Sequence, residues 1–293
     1  MNILIVGPNG YIGSRLAYDL VRLGYKVSGC DRQACIQNLG MDKFFQGEYQ
    51  QLPDEFLEDI DVVLWFAGHT TVKMAQEDPW NAFNNNVSDL LAFVKRLNSK
   101  NIPLVYASSA SLYSSSCNNF SLTANEERSN PYDATKLAFD ILLNVMGSRA
   151  IGLRMATVGG WAPVVRWETL FNSLNRSAHT HKCLQVTNAS NFRGVLFMDD
   201  LVEYILRLLQ DVKAGKFPSK PIQVPLSSWS GSIGTMASEI ARFWNADIDF
   251  GADQGTYSFV LTDRLLKESF LPNQFYKSIA QRCQEFADRL GWE

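Results

Sequence analysis

The segment Ile3-Leu4-Ile5-Val6-Gly7-Pro8-Asn9-Gly10-Tyr11-Ile12-Gly13 decides the fold of this chain. Its four leading apolar residues are typical of a short strand buried on both faces. Three glycines follow at the spacing G-x-x-G-x-x-G and open a helix-like stretch. Glycine at these points permits a tight turn, close approach of backbone N–H groups to a pyrophosphate, and close packing of helix on strand. The candidate dinucleotide-binding residues of this segment are Gly7, Gly10, Tyr11, Ile12 and Gly13.

Short apolar runs alternate with helix-like stretches as far as about residue 155. The runs cover residues 3–6, 27–30, 62–66, 104–107 and 151–153. Buried strands separated by amphipathic segments, such as 79–97 and 131–146, predict crossover helices and a doubly wound α/β domain with a parallel sheet, the Rossmann arrangement. This dinucleotide-binding domain is predicted to comprise residues 1–155 plus about 192–212. Residues of about 156–191 plus 213–293 are predicted to form a smaller C-terminal substrate-binding lobe.

The composition of the 293 residues narrows the functional classes. The chain carries 27 Lys and Arg against 30 Asp and Glu without a basic block, so nucleic acid is not an expected partner. It has no apolar run of about 18 residues and no signal-peptide pattern, so we expect a cytoplasmic protein and no membrane partner. The five cysteines lack C-x-x-C spacing, and His179-x-His181 lacks a carboxylate at ligand spacing, so no metal site is predicted.

An acidic residue stands where a dinucleotide coenzyme would place its ribose. Asp31 ends the second predicted strand, 24 residues after Gly7. A carboxylate at this interval accepts hydrogen bonds from the ribose hydroxyls and repels the additional phosphate of NADP. The coenzyme is therefore predicted to be NAD. Arg32 leaves NADP open, because a guanidinium beside the ribose can bind that phosphate.

A phenol and an ammonium group lie one helical turn apart in Tyr132-Asp133-Ala134-Thr135-Lys136. Lowering the pKa of a tyrosine from about 10 to about 7 requires stabilising the phenolate by about 4 kcal/mol. A positive charge about 4 Å away supplies energy of that order at an effective dielectric constant of 20. Tyr132 is thus a candidate general acid/base and Lys136 its charged partner. Ser109 follows the strand-like run 104–107 and is predicted to hydrogen-bond the same substrate oxygen.

Further motifs extend this pattern in order along most of the chain. They are Phe66-Ala67-Gly68-His69, Asn86-Val87, Tyr106-Ala107-Ser108-Ser109-Ala110-Ser111-Leu112-Tyr113, Leu153-Arg154-Met155 and Arg193-Gly194-Val195-Leu196-Phe197-Met198-Asp199-Asp200-Leu201. With them the chain resembles the extended short-chain dehydrogenase/reductase family, the NAD-dependent epimerase/dehydratase group that acts mostly on nucleotide sugars. The resemblance implies an NAD-dependent enzyme with a small-molecule substrate, a nucleotide sugar, and a homodimer formed through the helices at 79–97 and 131–146.

The resemblance also assigns roles to individual residues. It implies a coenzyme site that includes Phe66, Ala67, Gly68, Asn86, Tyr132 and Lys136. It implies a substrate site that includes His69, Ser109, Ser111, Thr157 and Arg193. Ser114 replaces a usual glycine, and Thr157 replaces an asparagine that contacts substrate in many members, so the identity of the sugar stays open. Trp161 and Trp167 are interpreted as packing residues, with stacking on a nucleobase as the alternative.

Three functions remain open at this point. The preferred one is an epimerase, because Asp31 favours NAD, the coenzyme suited to a cycle that returns the hydride. A ketoreductase or dehydrogenase would use Ser109, Tyr132 and Lys136 in one direction with NADH or NADPH. A non-catalytic dinucleotide-binding regulatory protein is the alternative from another class, although such a protein has no need of all three residues.

Overall fold

The computed structural model describes residues 1–36, 39–113, 130–253, 258 and 277–293. Its central layer is a seven-stranded sheet in the order β10-β6-β5-β4-β1-β2-β3, and all neighbouring strands are parallel. The strands are β1 (Asn2–Val6), β2 (Lys26–Asp31), β3 (Lys43–Gln46), β4 (Val62–Trp65), β5 (Leu104–Ser109), β6 (Ala150–Met155) and β10 (Ile222–Leu226). The predicted doubly wound parallel sheet is confirmed. Strand order reverses between β1 and β4, which opens a crevice at their carboxyl ends.

Helices cover both faces of this sheet, and every β1 side chain after Asn2 is therefore buried. Ile3 and Ile5 pack on one face, and Leu4 and Val6 pack on the other. Among the described residues, the α-helices are α1 (Tyr11–Arg22), α2 (Val72–Glu77), α3 (Pro79–Phe83), α4 (Asp89–Ser99), α5 (Pro131–Met146), α6 (Leu170–His181), α7 (Met198–Lys213), α8 (Ile233–Trp244) and α9 (Ile279–Leu290). Helices α1 and α7 contribute to the first core, and α4 and α5 to the second.

The helix predicted over 79–97 is interrupted, whereas the one predicted over 131–146 coincides with α5. A π-helical turn, Asn84–Ser88, separates α3 from α4. Three consecutive asparagines have low helix propensity, and one of them serves a tertiary contact instead. The Asn86 side chain turns inward, where its Oδ1 accepts from the His69 N–H at 2.9 Å and its Nδ2 donates to the His69 carbonyl at 3.1 Å.

A second cluster of elements packs beside the carboxyl edge of the sheet. The strand β9 (Phe192–Phe197) pairs with β7 (Thr157–Gly159) and β11 (Trp229–Ser232), and β8 (Cys183–Val186) pairs with β12 (Asp247–Phe250). Helices α6, α8 and α9 enclose the core of this lobe around Phe171, Ile240 and Phe286. His179 belongs to it, because its ring stacks on Trp292 with centroids 4.4 Å apart.

The division between sheet and lobe differs from the predicted one at two segments. Strand β10 lies within 213–293, yet it pairs with β6 in the seven-stranded sheet. Strand β9 lies within 192–212, yet Val195 and Phe197 point into the lobe core while α7 packs against the sheet. The periodicity of a short apolar strand followed by a helix is compatible with the central sheet and with the lobe. Backbone pairing with β7 and β11 places β9 in the lobe.

One buried ion pair ties α9 of the lobe to α7 of the sheet domain. Arg282 donates to both carboxylate oxygens of Asp200, at 2.8 and 2.6 Å, and both side chains are about 2% exposed. Loss of either partner would leave a buried charge without compensation. Within the described part of the chain, no helix combines the length and apolarity that crossing a bilayer requires.

Candidate active site

The glycine loop joins β1 to α1 at very short range. Gly7 has a φ of +89°, which favours glycine, and a Cβ at Gly13 would lie 2.0 Å from the Gly7 carbonyl oxygen. Gly10 precedes α1 without a side-chain cap, so backbone N–H groups at this helix start are available to an anion. These features fit the pyrophosphate of a dinucleotide coenzyme.

A cavity of about 410 Å³ opens beside this loop. Gly7, Gly10, Asp31, Arg32, Phe66, Ala67 and Gly68 line it, as predicted for a coenzyme site. Glu48, which was not predicted from the sequence, also lines this cavity, and its Oε1 lies 3.9 Å from the Nε of Arg32 at the exposed rim. Glu48 partly compensates the positive charge of Arg32, which would favour the additional phosphate of NADP, so the charge of the described cavity lining favours NAD.

Asp31 also organises the glycine loop. One carboxylate oxygen accepts from the Asn9 N–H at 3.0 Å, and the other accepts from the Gln33 N–H at 3.1 Å. The Asn9 side chain donates to the carbonyls of Gln33 and Ala34. Both strand ends are therefore held at a fixed distance around the cavity before any ribose binds.

A second, larger cavity of about 920 Å³ continues from the first. Gly10, Phe66 and Thr70 line both, so the two form one cleft along the carboxyl edge of the sheet. The predicted residues that line the larger cavity are Tyr11, Ile12, Ser109, Ser111, Tyr132, Lys136, Thr157 and Arg193. His69 and Asn86, which were also predicted for the site, are not among the described residues that line the cleft. They are hydrogen-bonded to each other behind its wall.

Lys136 is the buried cation of the larger cavity. Its ammonium donates to the Ala107 carbonyl at 2.9 Å and lies 5.8 Å from the centre of the Tyr132 ring. Burial lowers the pKa of Lys136 to about 8, although the Asp140 carboxylate acts in the opposite direction. The side chain remains mostly charged at neutral pH and can stabilise a phenolate on Tyr132.

Asp140, which the sequence analysis missed, anchors α5 to the sheet. It accepts hydrogen bonds from Tyr106 at 2.8 Å, Ser108 at 3.0 Å and Arg154 at 2.9 Å. These contacts are buried, and Asp140 lies one turn after Lys136 on the same helix. The only sequence signal for it is an acidic residue four positions after Lys136 in a largely apolar segment. The network fixes the height of Lys136 above the strand that carries Ser109.

Ser109 ends β5 and belongs to a hydrogen-bonded chain that reaches α5. Its Oγ lies 2.7 Å from the Ser111 Oγ, and the Ser111 hydroxyl donates to the Asp133 carboxylate. Asp133 is about 7% exposed and follows Tyr132 directly in the first turn of the helix. Both serines were predicted from the sequence, whereas the carboxylate that connects them to the helix was not.

The lobe contacts the start of α1 through the segment 160–166. The Tyr11 hydroxyl donates to the Gly160 carbonyl at 2.6 Å and accepts from Asn172 at 3.1 Å, and burial raises its pKa. Arg15 donates to the Trp161 carbonyl at 2.8 Å, and the Trp161 ring packs edge-on against Tyr18. Tyr11 thus joins the coenzyme loop to the lobe besides lining the cavity.

The lining of the larger cavity also includes Thr157, Arg166, Glu168 and Arg193. Arg166 and Glu168 were not predicted from the sequence. Trp161 and Trp167 are absent from the described lining of the cleft, and Trp167 instead stacks on Trp292 with centroids 5.8 Å apart. Both tryptophans therefore pack, as the interpretation favoured. Ser114 lies outside the described residues.

Comparison with known proteins establishes the family. The model of the NAD dependent epimerase/dehydratase family matches residues 3–220. The chain belongs to this family. Protein CapI of Staphylococcus aureus is 28% identical over 269 residues, which cover 83% of this chain and 76% of that protein. Membership confirms the predicted family, an enzyme rather than a regulatory protein, and NAD as the coenzyme of the family.

Other relatives of this epimerase/dehydratase match over different lengths. A UDP-glucose 4-epimerase of Lactobacillus helveticus is 32% identical over 121 residues, 39% of this chain and 37% of that protein. A UDP-2-acetamido-2,6-beta-L-arabino-hexul-4-ose reductase of Pseudomonas aeruginosa is 23% identical over 296 residues, 94% of this chain and 66% of that protein.

Solved structures share the fold over nearly the whole chain. The UDP-glucuronic acid 4-epimerase from Bacillus cereus, in complex with UDP-glucuronic acid and NAD, superposes with a TM-score of 0.78 at 19% identity and 99% coverage of both chains. UDP-glucose-4-epimerase from Stenotrophomonas maltophila, with bound NAD and formylated UDP-arabinopyranose, superposes with a TM-score of 0.79 at 20% identity, covering 98% of this chain and 97% of that one.

Replacing Asp31 with alanine tests the coenzyme cavity. We expect Asp31→Ala to weaken NAD binding about tenfold or more and to narrow the preference for NAD over NADP, because an acceptor and a repelling charge are removed. Calorimetric titration with both coenzymes measures this. Asp42→Ala is the matched control. Asp42 also accepts a hydrogen bond from a backbone N–H of β2, that of Val27 at 2.9 Å, but it is not among the described residues that line the cavity. Equal affinities in wild type and Asp31→Ala would contradict the assignment.

The lowered pKa of Lys136 predicts a pH-dependent stability. In the folded state the ammonium loses its proton near pH 8, whereas in the unfolded state it keeps the proton to about pH 10.4. Between these pH values the unfolded state binds more protons than the folded state. As the pH rises through this range, the free energy of unfolding of the wild type should therefore increase by up to about 3 kcal/mol relative to that of Lys136→Met. Urea unfolding at pH 7 to 10 checks this, with the exposed Lys95→Met as control. A pH-independent difference would refute it.

Proposed function

We propose that the protein is an NAD-dependent nucleotide-sugar epimerase. The observation that carries this proposal is the single cleft that is lined both by Ser109, Tyr132 and Lys136 and by the glycine loop. When bound, NAD supplies an acceptor for a hydride from a sugar carbon and returns it, so that an alcohol is oxidised to a ketone and reduced again. Gly7, Gly10 and Asp31 would hold the pyrophosphate and the ribose.

Tyr132 is the proposed general acid/base. It takes the proton of the sugar hydroxyl as the carbon is oxidised and gives it back on reduction. The Lys136 ammonium, 5.8 Å from the ring centre, stabilises the phenolate and can also donate to the ribose of the coenzyme. Ser109 hydrogen-bonds the reacting oxygen. Asp140 keeps Lys136 and Ser109 at a fixed separation. It belongs to α5, which carries Lys136, and it is hydrogen-bonded to side chains of β5, which carries Ser109.

The proposed substrate is a sugar joined to a nucleoside diphosphate. The larger cavity extends from the reacting groups to Arg166 and Arg193, two cations suited to a diphosphate. Arg193 was predicted for this role through the family resemblance, and Thr157 and Ser111 were predicted to contact the sugar. Several relatives are named for UDP-sugars, which makes these nucleotides the first candidates.

A ketoreductase is the second candidate. The relative from Pseudomonas aeruginosa, matched over 94% of this chain, is named as a reductase of a UDP-linked keto-sugar. The same three residues would then work in one direction, and coenzyme would be exchanged in each cycle.

Following the coenzyme separates the two candidates. We expect purified protein to carry NAD and to interconvert UDP-glucose, UDP-glucuronic acid or another UDP-sugar with its epimer without added coenzyme. Tyr132→Phe should lower turnover by about 100-fold or more while NAD affinity stays nearly unchanged. Product analysis with and without NADH or NADPH measures this. Stoichiometric loss of reduced coenzyme, with no epimer formed in its absence, would instead establish the reductase.

We also propose that the protein is a homodimer. Helices α3 and α5 expose large apolar side chains, including Trp80 and Val145, each 80% exposed, and Met146 at 65%. Isolated monomers rarely leave several large apolar side chains of two packed helices this exposed to water. Sedimentation equilibrium should give twice the chain mass of 33.0 kDa. Val145→Asp should shift the protein to monomer, whereas Leu23→Asp, an exposed position at the far end of α1, should not. A monomeric wild type would contradict the proposal.

A further inference from the structure

The ammonium of Lys136 lies close to two aromatic rings. Its Nζ is 5.2 Å from the centre of the Trp65 ring and 5.8 Å from the centre of the Tyr132 ring, and Lys136 is about 5% exposed. Tyr132 lines the larger cavity, whereas Trp65 is fully buried and is not among the described residues that line the cleft. One ring therefore belongs to the reacting groups and the other to the core beneath them.

Hydrogen bonding accounts for only part of the stabilisation of this ammonium. An ammonium has three N–H donors, and one of them donates to the Ala107 carbonyl at 2.9 Å. The carboxylate of Asp140, one turn further along α5, is hydrogen-bonded to side chains of β5 and β6. The face of an aromatic ring attracts a cation, and an indole does so most strongly. The Trp65 ring is thus a second partner of the ammonium, besides the Ala107 carbonyl.

The indole is held in place by its neighbours. Trp65 ends β4, which pairs with β5, the strand that carries Ala107. The Tyr49 ring packs edge-on against the indole with centroids 6.2 Å apart. Gly68 lies so close that a Cβ added to it would be 2.8 Å from the Trp65 Cη2. The ring and the carbonyl are therefore fixed by adjacent strands, and together they define where the ammonium can lie.

We propose that Trp65 is a positioning residue that stabilises the Lys136 ammonium through the face of its indole ring and holds it near Tyr132. This inference rests on the proposed function, in which that ammonium stabilises a phenolate on Tyr132. Burial opposes the charge of Lys136 and lowers its pKa to about 8. The ring acts in the opposite direction, because it attracts the ammonium more strongly than the neutral amine. Without the ring, Lys136 should lose its proton at a lower pH.

Charged and titratable groups near Lys136 also come from α5, β6 and the loop after β4. Asp140 on α5 is ion-paired with Arg154 of β6 at 2.9 Å. Burial lowers the pKa of His69, and the charge of Lys136 acts in the same direction, so His69 is neutral at the alkaline pH where Lys136 loses its proton. Tyr132 would titrate together with Lys136, because their opposite charges attract. A direct test of the ring therefore replaces Tyr132 with phenylalanine.

Two substitutions of Trp65 separate the ring face from packing. Trp65→Leu removes the aromatic face. Trp65→Phe keeps a smaller face and removes the indole N–H, for which no hydrogen-bond partner lies among the described residues, so this change leaves no new buried group unpaired. Trp244→Leu is the matched control, because Trp244 is also buried and has the Lys182 ammonium 5.6 Å from its ring centre, but belongs to the core of the lobe.

Protonation of Lys136 is measured directly by NMR on protein labelled with ¹³C at the Cε of lysine. Each protein carries Tyr132→Phe and is saturated with NAD, and the Lys136 resonance is assigned by its absence in Lys136→Met. We expect Trp65→Leu to lower the pH midpoint of this resonance by about one pH unit, a tenfold weaker binding of the proton, as loss of a desolvated cation–π contact implies. Trp65→Phe should lower the midpoint by less, and Trp244→Leu should leave it unchanged.

The same titration can overturn the inference. An unchanged or raised midpoint in Trp65→Leu, or in Trp65→Phe if the leucine variant does not fold, would show that the ring does not stabilise the ammonium. A merely structural role of Trp65 would lower thermal stability without moving the midpoint.

Turnover of the proteins that retain Tyr132 shows the consequence for the reaction. With UDP-glucose or UDP-glucuronic acid, whichever the wild type converts, the upper pH limit of turnover should fall by about one pH unit in Trp65→Leu, because only the charged Lys136 stabilises the phenolate. An unchanged limit in an active Trp65→Leu enzyme would refute the positioning role. The NMR midpoints need no turnover. If they move as expected and the wild type epimerises neither sugar nucleotide, the contact with Trp65 stands and the epimerase assignment falls.

Discussion

The close approach of α1 to the end of β1 is the constraint on which most of the molecule depends. A Cβ at Gly13 would lie 2.0 Å from the Gly7 carbonyl oxygen, so only glycine permits this packing. The same approach places Tyr11 and Arg15 within hydrogen-bonding reach of the lobe segment 160–166. The start of α1 therefore shapes the smaller cavity and also holds the lobe segment that lines the larger one.

A second constraint is the balance of buried charge beneath Tyr132. Asp140 accepts from Arg154 and lies one turn from Lys136, so one carboxylate faces two cations. Its attraction does not fully offset the desolvation of Lys136, whose pKa stays below its usual range. The Ala107 carbonyl and packing on Trp65 hold this ammonium in place, rather than an ion pair of its own. A poorly solvated ammonium is strongly stabilised by a nearby anion, which a phenolate on Tyr132 would provide.

The two halves of the cleft receive their polar groups from different sources. Around the smaller cavity, Asp31 binds backbone N–H groups of Asn9 and Gln33, so its carboxylate stiffens the loop as well as lining the cavity. Near Tyr132 and Lys136, Asp133 binds side chains: it accepts from the Ser111 hydroxyl, whose oxygen lies 2.7 Å from the Ser109 Oγ. The acid at one end of the cleft therefore holds backbone groups, and the acid at the other end holds side chains.

The sequence by itself determined the features that depend on local periodicity and local backbone chemistry. These are five of the seven strands of the parallel sheet, the helix over 131–146, the glycine loop with its acid, and the spacing of Tyr132 and Lys136. Tertiary structure alone decided that β9 joins the lobe and β10 the sheet, that Asn86 interrupts a helix to brace His69, and that Asp133 meets Ser111. The reason is physical. Periodicity reports which side of an element is buried, whereas strand pairing and hydrogen bonds between groups 17 or more residues apart depend on packing that no single segment contains.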